Sequence, residues 1–328
     1  MDLEYGAPLR PWRREETRRF LAGAGLDFDP GVEYTVNVLE NDEIIASGSL
    51  EGNICKCIAV AESHQGEGLT ATVLTQLRQE AFRRGARHLF LYTKPKNRRM
   101  FQDLSFYPVA ETADTLLMEN VRDGCKKFVA GLESPPCDGV IGAIVANCNP
   151  FTLGHRYLVE RAAAECDLLH LFILSEEKSL FPAADRLALA RAGTEDLANV
   201  VVHPTGDYLI SAATFPTYFI KDKERIPEIR CGLDLEIFSG WFAPALGITR
   251  RFVGTEPLSP VTDAYNQQLL AQLPQRGIQV TLIPRKELDG APISASRVRA
   301  LLEEGRLEEL RPLVPETTFA YLKARTNA

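Results

Sequence analysis

The sequence predicts an α/β protein of two domains, the first built on a mixed sheet and the second on a parallel one. Three observations predict it. The chain has 328 residues, which at roughly 150 residues per domain makes two. Residues 34–50 alternate apolar and polar side chains, as half-buried antiparallel strands do. Beyond residue 138 short apolar runs alternate with helical stretches, the order that builds a parallel sheet.

The elements follow in order. Residues 34–50 turn at Glu40-Asn41-Asp42-Glu43 and read as a hairpin. Residues 54–60 supply a third strand, followed by the glycine loop Gln65-Gly66-Glu67-Gly68 and a helix over 69–84 with Val73, Leu77 and Ala81 at i,i+4 spacing. Gly85 stops that helix, and 88–93 resume a strand before a short segment ending in Leu104-Ser105-Phe106-Tyr107. Between 121 and 138, charges, two glycines and Pro135-Pro136 break any core periodicity. The first domain is therefore expected over 1–125, a linker over 126–138 and the second domain over 139–328. The second domain opens with an apolar run at 140–146, then a helix from about 153, a run at 168–174, a helix from about 185 and a strand at 200–203. Phe252-Val253 and 278–283 are two more strands, with Leu269, Leu270 and Leu273 on a helix between them, and the tail 295–328 is helical.

Composition narrows the function. Hydrophobic residues make up 45% and charged residues 25%, the proportions of globular protein rather than of disordered chains. The longest apolar runs fall well short of the roughly 20 residues that span a bilayer, so no membrane association is expected. The N-terminus places charges where a signal peptide needs its apolar core, which points to the cytoplasm. Seven cysteines, an odd number spread along the chain, suit a reducing compartment; Cys55 and Cys57 lack the second pair that a zinc site needs. With 44 acidic against 37 basic residues the net charge is −7, which repels nucleic acid while leaving room for a small anion held by local donors.

The loop Asn147-Cys148-Asn149-Pro150-Phe151-Thr152-Leu153-Gly154-His155 joins the first strand and first helix of the second domain. Ligands of open α/β sheets bind there, because strand carboxyl ends meet helix N-termini whose free N–H groups hold anions. Gly154 lets a ligand approach the backbone, His155 offers an imidazole donor and Thr152 a hydroxyl. By itself His155 reads as a surface or capping histidine. A second helix start occurs at Ile293-Ser294-Ala295-Ser296-Arg297-Val298-Arg299. Ser294 fits its N-cap, with Ile293 and Val298 as a hydrophobic staple, while Ser296 and Arg299 remain for a ligand. Cys148, between two asparagines of the loop, is a small packed residue or an acyl relay.

Taken together, Thr152-Leu153-Gly154-His155 and the segment from Ile293 to Arg299 resemble the paired (H/T)xGH and ISxSxxR signatures of the nucleotidyltransferase superfamily. That resemblance implies a Rossmann-like fold in which a nucleophile attacks the α-phosphorus of a nucleotide and releases pyrophosphate. The match is wider: NCNPFTLGHRYLVERAA, SEEKSLFPAADR and ISASRVR, behind an acetyltransferase-like first domain, resemble the [citrate (pro-3S)-lyase] ligase family. The first domain resembles a GNAT acetyltransferase, whose Q/RxxGxG/A loop is represented by Gly66 and Gly68, with Ser63 in place of glutamine or arginine and Glu67 adding a negative charge.

The resemblance implies activation of acetate by ATP as acetyl-adenylate and acetylation of the thiol on the CoA-like prosthetic group of the citrate lyase acyl carrier subunit. It implies ATP as a substrate with Mg²⁺, and no tightly bound organic cofactor or dedicated metal cluster. His155 and Arg299 are then the expected catalytic residues, His155 at the α-phosphate and Arg299 with Ser294 and Ser296 at the departing phosphates. Asn149, Phe151, Thr152, Gly154, Lys178, Arg186, Gly254 and Glu256 are expected to contact the nucleotide, and Gly66 and Gly68 the CoA-like arm. Lys94, Lys96, Arg98 and Arg99 are candidate phosphate contacts in the first domain, or a solvated basic loop. Two alternatives share these features: an adenylyltransferase acting on a phosphorylated small molecule, and a GNAT-type acetyltransferase or acyl-carrier binding protein.

Overall fold

Two compact units make up the chain, one comprising Met1–Gly124 and Phe215–Glu236, the other Cys125–Thr214 and Ile237–Ala328. The structure, a computed structural model, describes residues 1–210, 214–255 and 260–326. The helix Gly124–Ala130 occupies the beginning of the stretch read as a linker, and its Val129 is buried. Residues 215–236, assigned from the sequence to the second domain, instead cluster with the first unit. No pattern marks such a return, because it is decided by tertiary packing and not by local periodicity.

The first unit carries a seven-stranded sheet of β1 (Asp2–Gly6), β2 (Tyr34–Glu40), β3 (Glu43–Glu51), β4 (Ile54–Val60), β5 (Phe90–Thr93), β6 (Tyr107–Glu111) and β7 (Leu116–Glu119), ordered β1-β2-β3-β4-β5-β7-β6. The hairpin between β2 and β3 turns through Asn41 and Asp42, both with positive φ (50° and 67°), as a two-residue turn matched to strand twist requires. All neighbours are antiparallel except β4 and β5. That parallel pair is joined only at Ile54↔Phe90 and Cys55↔Leu91, after which the two strands diverge as a fork. The helix Leu69–Arg83 lies on the sheet through Val73, Leu74 and Leu77. A Cβ at Gly48 of β3 would come within 2.3 Å of Val73, so glycine is what lets the helix seat so closely.

The second unit holds a fully parallel sheet of β8 (Ile141–Ala146), β9 (Leu168–Ile173), β10 (Val200–Pro204), β11 (Arg250–Gly254) and β12 (Gln279–Ile283), in the order β10-β9-β8-β11-β12. Such an order reverses direction between β8 and β11, and the crevice at their carboxyl ends is where this class of sheet receives ligands. Ile144, Leu171 and Ile173 pack one face against Val159 and Ala162 of the helix Leu153–Ala163. A separate cluster of Phe181, Ile293, Val298, Leu310 and Phe319 seats the C-terminal helices Ala295–Glu303 and Glu316–Thr326. Among the described residues, no helix is long and apolar enough to cross a membrane.

On its opposite face this sheet buries His170 and His203, joined Nδ1 to Nε2 at 2.9 Å beside Phe172. Burial pushes both imidazoles down to about 4. They fold neutral, whereas the unfolded chain takes up protons below about pH 6.5. The stabilisation they give is complete above that pH and is lost as pH falls toward about 4. The urea midpoint is expected to drop between about pH 7 and about pH 5, and to drop less in His203→Gln; equal drops in the two proteins count against this assignment.

Candidate active site

The loop 147–152 and the helix Leu153–Ala163 that follows it lie at the carboxyl end of β8. Thr152 is the N-cap of that helix, and its hydroxyl accepts the His155 N–H at 3.3 Å while the Thr152 N–H donates to His155 Nδ1 at 3.0 Å. With Nδ1 an acceptor, the proton of a neutral imidazole resides on Nε2. Burial, helped by the positive charge of Arg285, pushes His155 down to about 4, so the ring is neutral at pH 7 and offers Nε2–H as a donor. Phe151 lies beneath it, the rings 5.8 Å apart and inclined by 21°.

The second motif meets the first. Ser294 caps the helix Ala295–Glu303, its hydroxyl accepting the Arg297 N–H at 3.2 Å, and the staple residues Ile293 and Val298 are buried together. Arg299 donates from Nη1 to the Asn149 carbonyl at 2.7 Å and from Nη2 to the Ser296 hydroxyl at 3.2 Å. At Gly154 any Cβ would stand 2.4 Å from the Ile293 carbonyl oxygen. The glycine expected to admit a ligand therefore admits the backbone of the other motif. These contacts bring residues 149–155 and 293–299 into one patch of positive and hydrogen-bonding character.

Other expected contacts fall differently. Asn149 is half-buried, its Oδ1 accepting the Phe181 N–H at 3.1 Å and its carbonyl holding Arg299. Phe151 is fully buried in the core, so it supports the imidazole instead of meeting a ligand. Arg186 is likewise enclosed, with Nε donating to the Phe181 carbonyl at 3.0 Å, Nη1 to the Asn147 carbonyl at 2.8 Å and Nη2 to the Glu176 carbonyl. It ties the loop after β8 to the loop after β9, which is the role its burial gives it in place of a nucleotide contact. Lys178 is exposed on the latter loop, its N–H donating to the Glu176 carboxylate at 2.7 Å.

Gly254 ends β11, next to β8 in the sheet, and its carbonyl accepts from Asn266 at 2.9 Å. Glu256 lies outside the described residues. Cys148 is buried in the core with its thiol pushed up to about 12 by burial, which makes it a packed residue and a poor nucleophile. Sequence reading missed Arg285, which follows the last strand, bears on His155 and donates from Nε to the Thr255 carbonyl at 2.9 Å. Its signal was the pair Arg285-Lys286 directly after an apolar strand at the ligand end of the sheet.

In the first unit Gly66 and Gly68 adopt positive φ (91° and 77°) immediately before the helix Leu69–Arg83. Both line a cleft of about 840 Å³ that also includes Thr70, Tyr92, Lys94 and Tyr218. Lys94 is held below the usual lysine range, first by burial and then by Lys221 and Lys96. Arg98, a candidate phosphate contact, is paired with Glu111 instead.

A parallel sheet with helix-start donors gathered at its switch point, behind a mixed-sheet unit with a glycine-loop cleft, defines a two-part α/β enzyme of nucleotidyltransferase type. Residues 141–322 match the citrate lyase ligase C-terminal domain and residues 1–106 the GNAT acetyltransferase family. The chain is 42% identical over 315 residues to the [citrate [pro-3S]-lyase] ligase of Escherichia coli, covering 94% of this chain and 90% of that one. It is equally 42% identical to the ligase of Klebsiella pneumoniae, over 94% of this chain and 92% of that one. The phosphopantetheine adenylyltransferase of Staphylococcus carnosus is 33% identical over 69 residues, 20% of this chain and 43% of that one. The chain belongs to the [citrate [pro-3S]-lyase] ligase family, and it is a ligase.

Proposed function

We propose that the protein activates acetate with ATP, forming acetyl-adenylate and pyrophosphate, and passes the acetyl group to the thiol of the CoA-like arm on the citrate lyase acyl carrier subunit with release of AMP, in the cytoplasm. The observation that carries this reading is the direct contact of the two motifs at Gly154 with Ile293 and at Asn149 with Arg299.

Acetate is ionised at neutral pH, its pKa being near that of a side-chain carboxyl at about 4, so its attack on the α-phosphorus needs no general base. The chain's task is to place an anion against a polyanion and absorb the charge that develops. The Nε2–H of His155 donates to an α-phosphate oxygen as that oxygen gains charge. Arg299, with the hydroxyls of Ser294 and Ser296, holds the phosphates that leave. Cationic and hydroxyl donors suit a nucleotide that brings its own Mg²⁺, which would offset charge on the triphosphate while keeping most of its waters. The thiol that accepts the acetyl group belongs to the carrier, so none of this chain's cysteines takes part. The cleft of the first unit, with its glycine turn and Lys94, receives the CoA-like arm.

Incubation with ATP, Mg²⁺, acetate and deacetylated citrate lyase, followed by mass measurement of the carrier subunit, tests the proposal. The expected result is a gain of one acetyl group, with pyrophosphate release that depends on acetate. Release that depends instead on a phosphorylated acceptor points to the adenylyltransferase reading and overturns this one.

A further inference from the structure

The fork between β4 and β5 is filled from a distant part of the sequence. Tyr218, in the returning segment, is buried and lines the cleft. Its hydroxyl donates to the Tyr92 carbonyl of β5 at 3.2 Å and faces the backbone N–H of Cys57 in β4. It thus bridges the two strands just beyond their last paired residues, Cys55 and Leu91. The residue is held through its backbone and its ring. Its carbonyl accepts the Asp27 N–H at 2.8 Å, Phe219 packs against the ring edge-on at 5.2 Å, and Phe215 stacks edge-on to Tyr92 at 5.9 Å. Lys223 pins the segment further through the Thr217 carbonyl at 3.1 Å and the Asp27 carboxylate at 2.5 Å.

The cleft therefore has two unlike ends. One is the glycine turn at the start of the helix Leu69–Arg83, where backbone N–H groups suit a phosphate. The other is the fork, which the Tyr218 ring lines and its hydroxyl bridges. Between them β4 runs from Cys57 to Val60, roughly 10–13 Å of strand whose side toward the fork has left its partner. A slender amide chain with a phosphate at one end and sulfur at the other matches that shape.

We propose that Tyr218 is a specificity-determining residue that closes the fork end of the cleft, so that a pantetheine-type arm is accepted with a free thiol and disfavoured once its sulfur carries an acyl group. This rests on the reading above that the acyl acceptor is a CoA-like arm. An added acetyl group lengthens the arm by two carbons and an oxygen at the end where the ring cannot yield without losing its bridge. For an enzyme that acylates a thiol, the asymmetry holds the unreacted arm and releases the finished one.

Calorimetric titration of the full chain with CoA, acetyl-CoA and butyryl-CoA tests it. The expected result is an affinity that falls with acyl size, about tenfold from CoA to acetyl-CoA. Tyr218→Ala is expected to bring the three ligands within about twofold of one another by tightening the acylated forms, while Tyr218→Phe, which keeps the ring but loses the hydroxyl bridge, keeps the order with a smaller spread. Equal affinities in the unaltered protein overturn the proposal, as does an unchanged order in Tyr218→Ala. The acyl-size series in the unaltered protein decides the matter even where the alanine variant does not fold. Acetate-dependent pyrophosphate release, measured on the same samples, separates the two readings. Its presence without acyl-size discrimination refutes the role of Tyr218 alone, and its absence alongside discrimination refutes acetate activation alone.

Discussion

His155→Ala is expected to lower acetate-dependent pyrophosphate release by about 10²–10³-fold, the cost of removing one preorganised donor to developing charge. The size of the effect follows from the state of the ring. The Thr152 N–H at Nδ1 fixes the tautomer, and burial together with Arg285 pushes the imidazole down to about 4. It is thus a neutral donor aimed by its own helix cap, and no reorganisation is needed when charge appears on the α-phosphate. The same bond makes the side chain part of the cap, so His155→Ala also costs about 0.5–2 kcal/mol of stability. His155→Asn separates the two roles, since an asparagine oxygen at this position accepts the Thr152 N–H but its amide reaches less far. It should restore the urea midpoint and leave most of the rate loss. An alanine variant that releases pyrophosphate at the unaltered rate would falsify the assignment.

How much of this site was legible depends on what each residue touches. The position of His155, Ser294 and Arg299 at helix starts was readable because glycine, proline and capping residues locate such starts, and helix starts after parallel strands locate the ligand end of a sheet. Gly154 was readable as a close approach but not as an approach to Ile293, since nothing local says that two segments so far apart in sequence meet. Phe151 and Arg186 were misplaced for a related reason. An aromatic ring and a guanidinium beside a loop have the same spelling whether they face the crevice or the core, and only the packing of the neighbouring loops decides. Tyr218 carried no signal, because an aromatic between Phe215 and Ile220 resembles ordinary core and its partner strand lies in the other half of the sequence. The edge strand β1 and the helix Pro11–Gly23 were hidden by their many charges, for Arg13 is buried in ion pairs with Glu4 and Glu16.

Arg186→Met is expected to destabilise the second unit by about 3–5 kcal/mol and to abolish activity through the loops it joins. The guanidinium is fully buried, and its donors satisfy the carbonyls of Phe181, Asn147 and Glu176. Its charge is opposed by the Glu176 carboxylate at 3.8 Å, whose own side chain is nearly enclosed. Methionine fills comparable volume but leaves those carbonyls without donors and Glu176 with an uncompensated charge, and each such loss is dearer inside a protein than at its surface. Arg186→Lys should recover little, because one ammonium cannot span acceptors arranged for a planar fork. The loop concerned runs directly into Asn149, whose carbonyl holds Arg299 and whose side chain holds Phe181. Loss of Arg186 therefore loosens the pairing of both motifs from beneath. Urea unfolding and pyrophosphate release, measured together, distinguish a scaffold from a ligand contact: both must fall in Arg186→Met, and a loss of activity with an unchanged unfolding midpoint would return Arg186 to the role of a nucleotide contact.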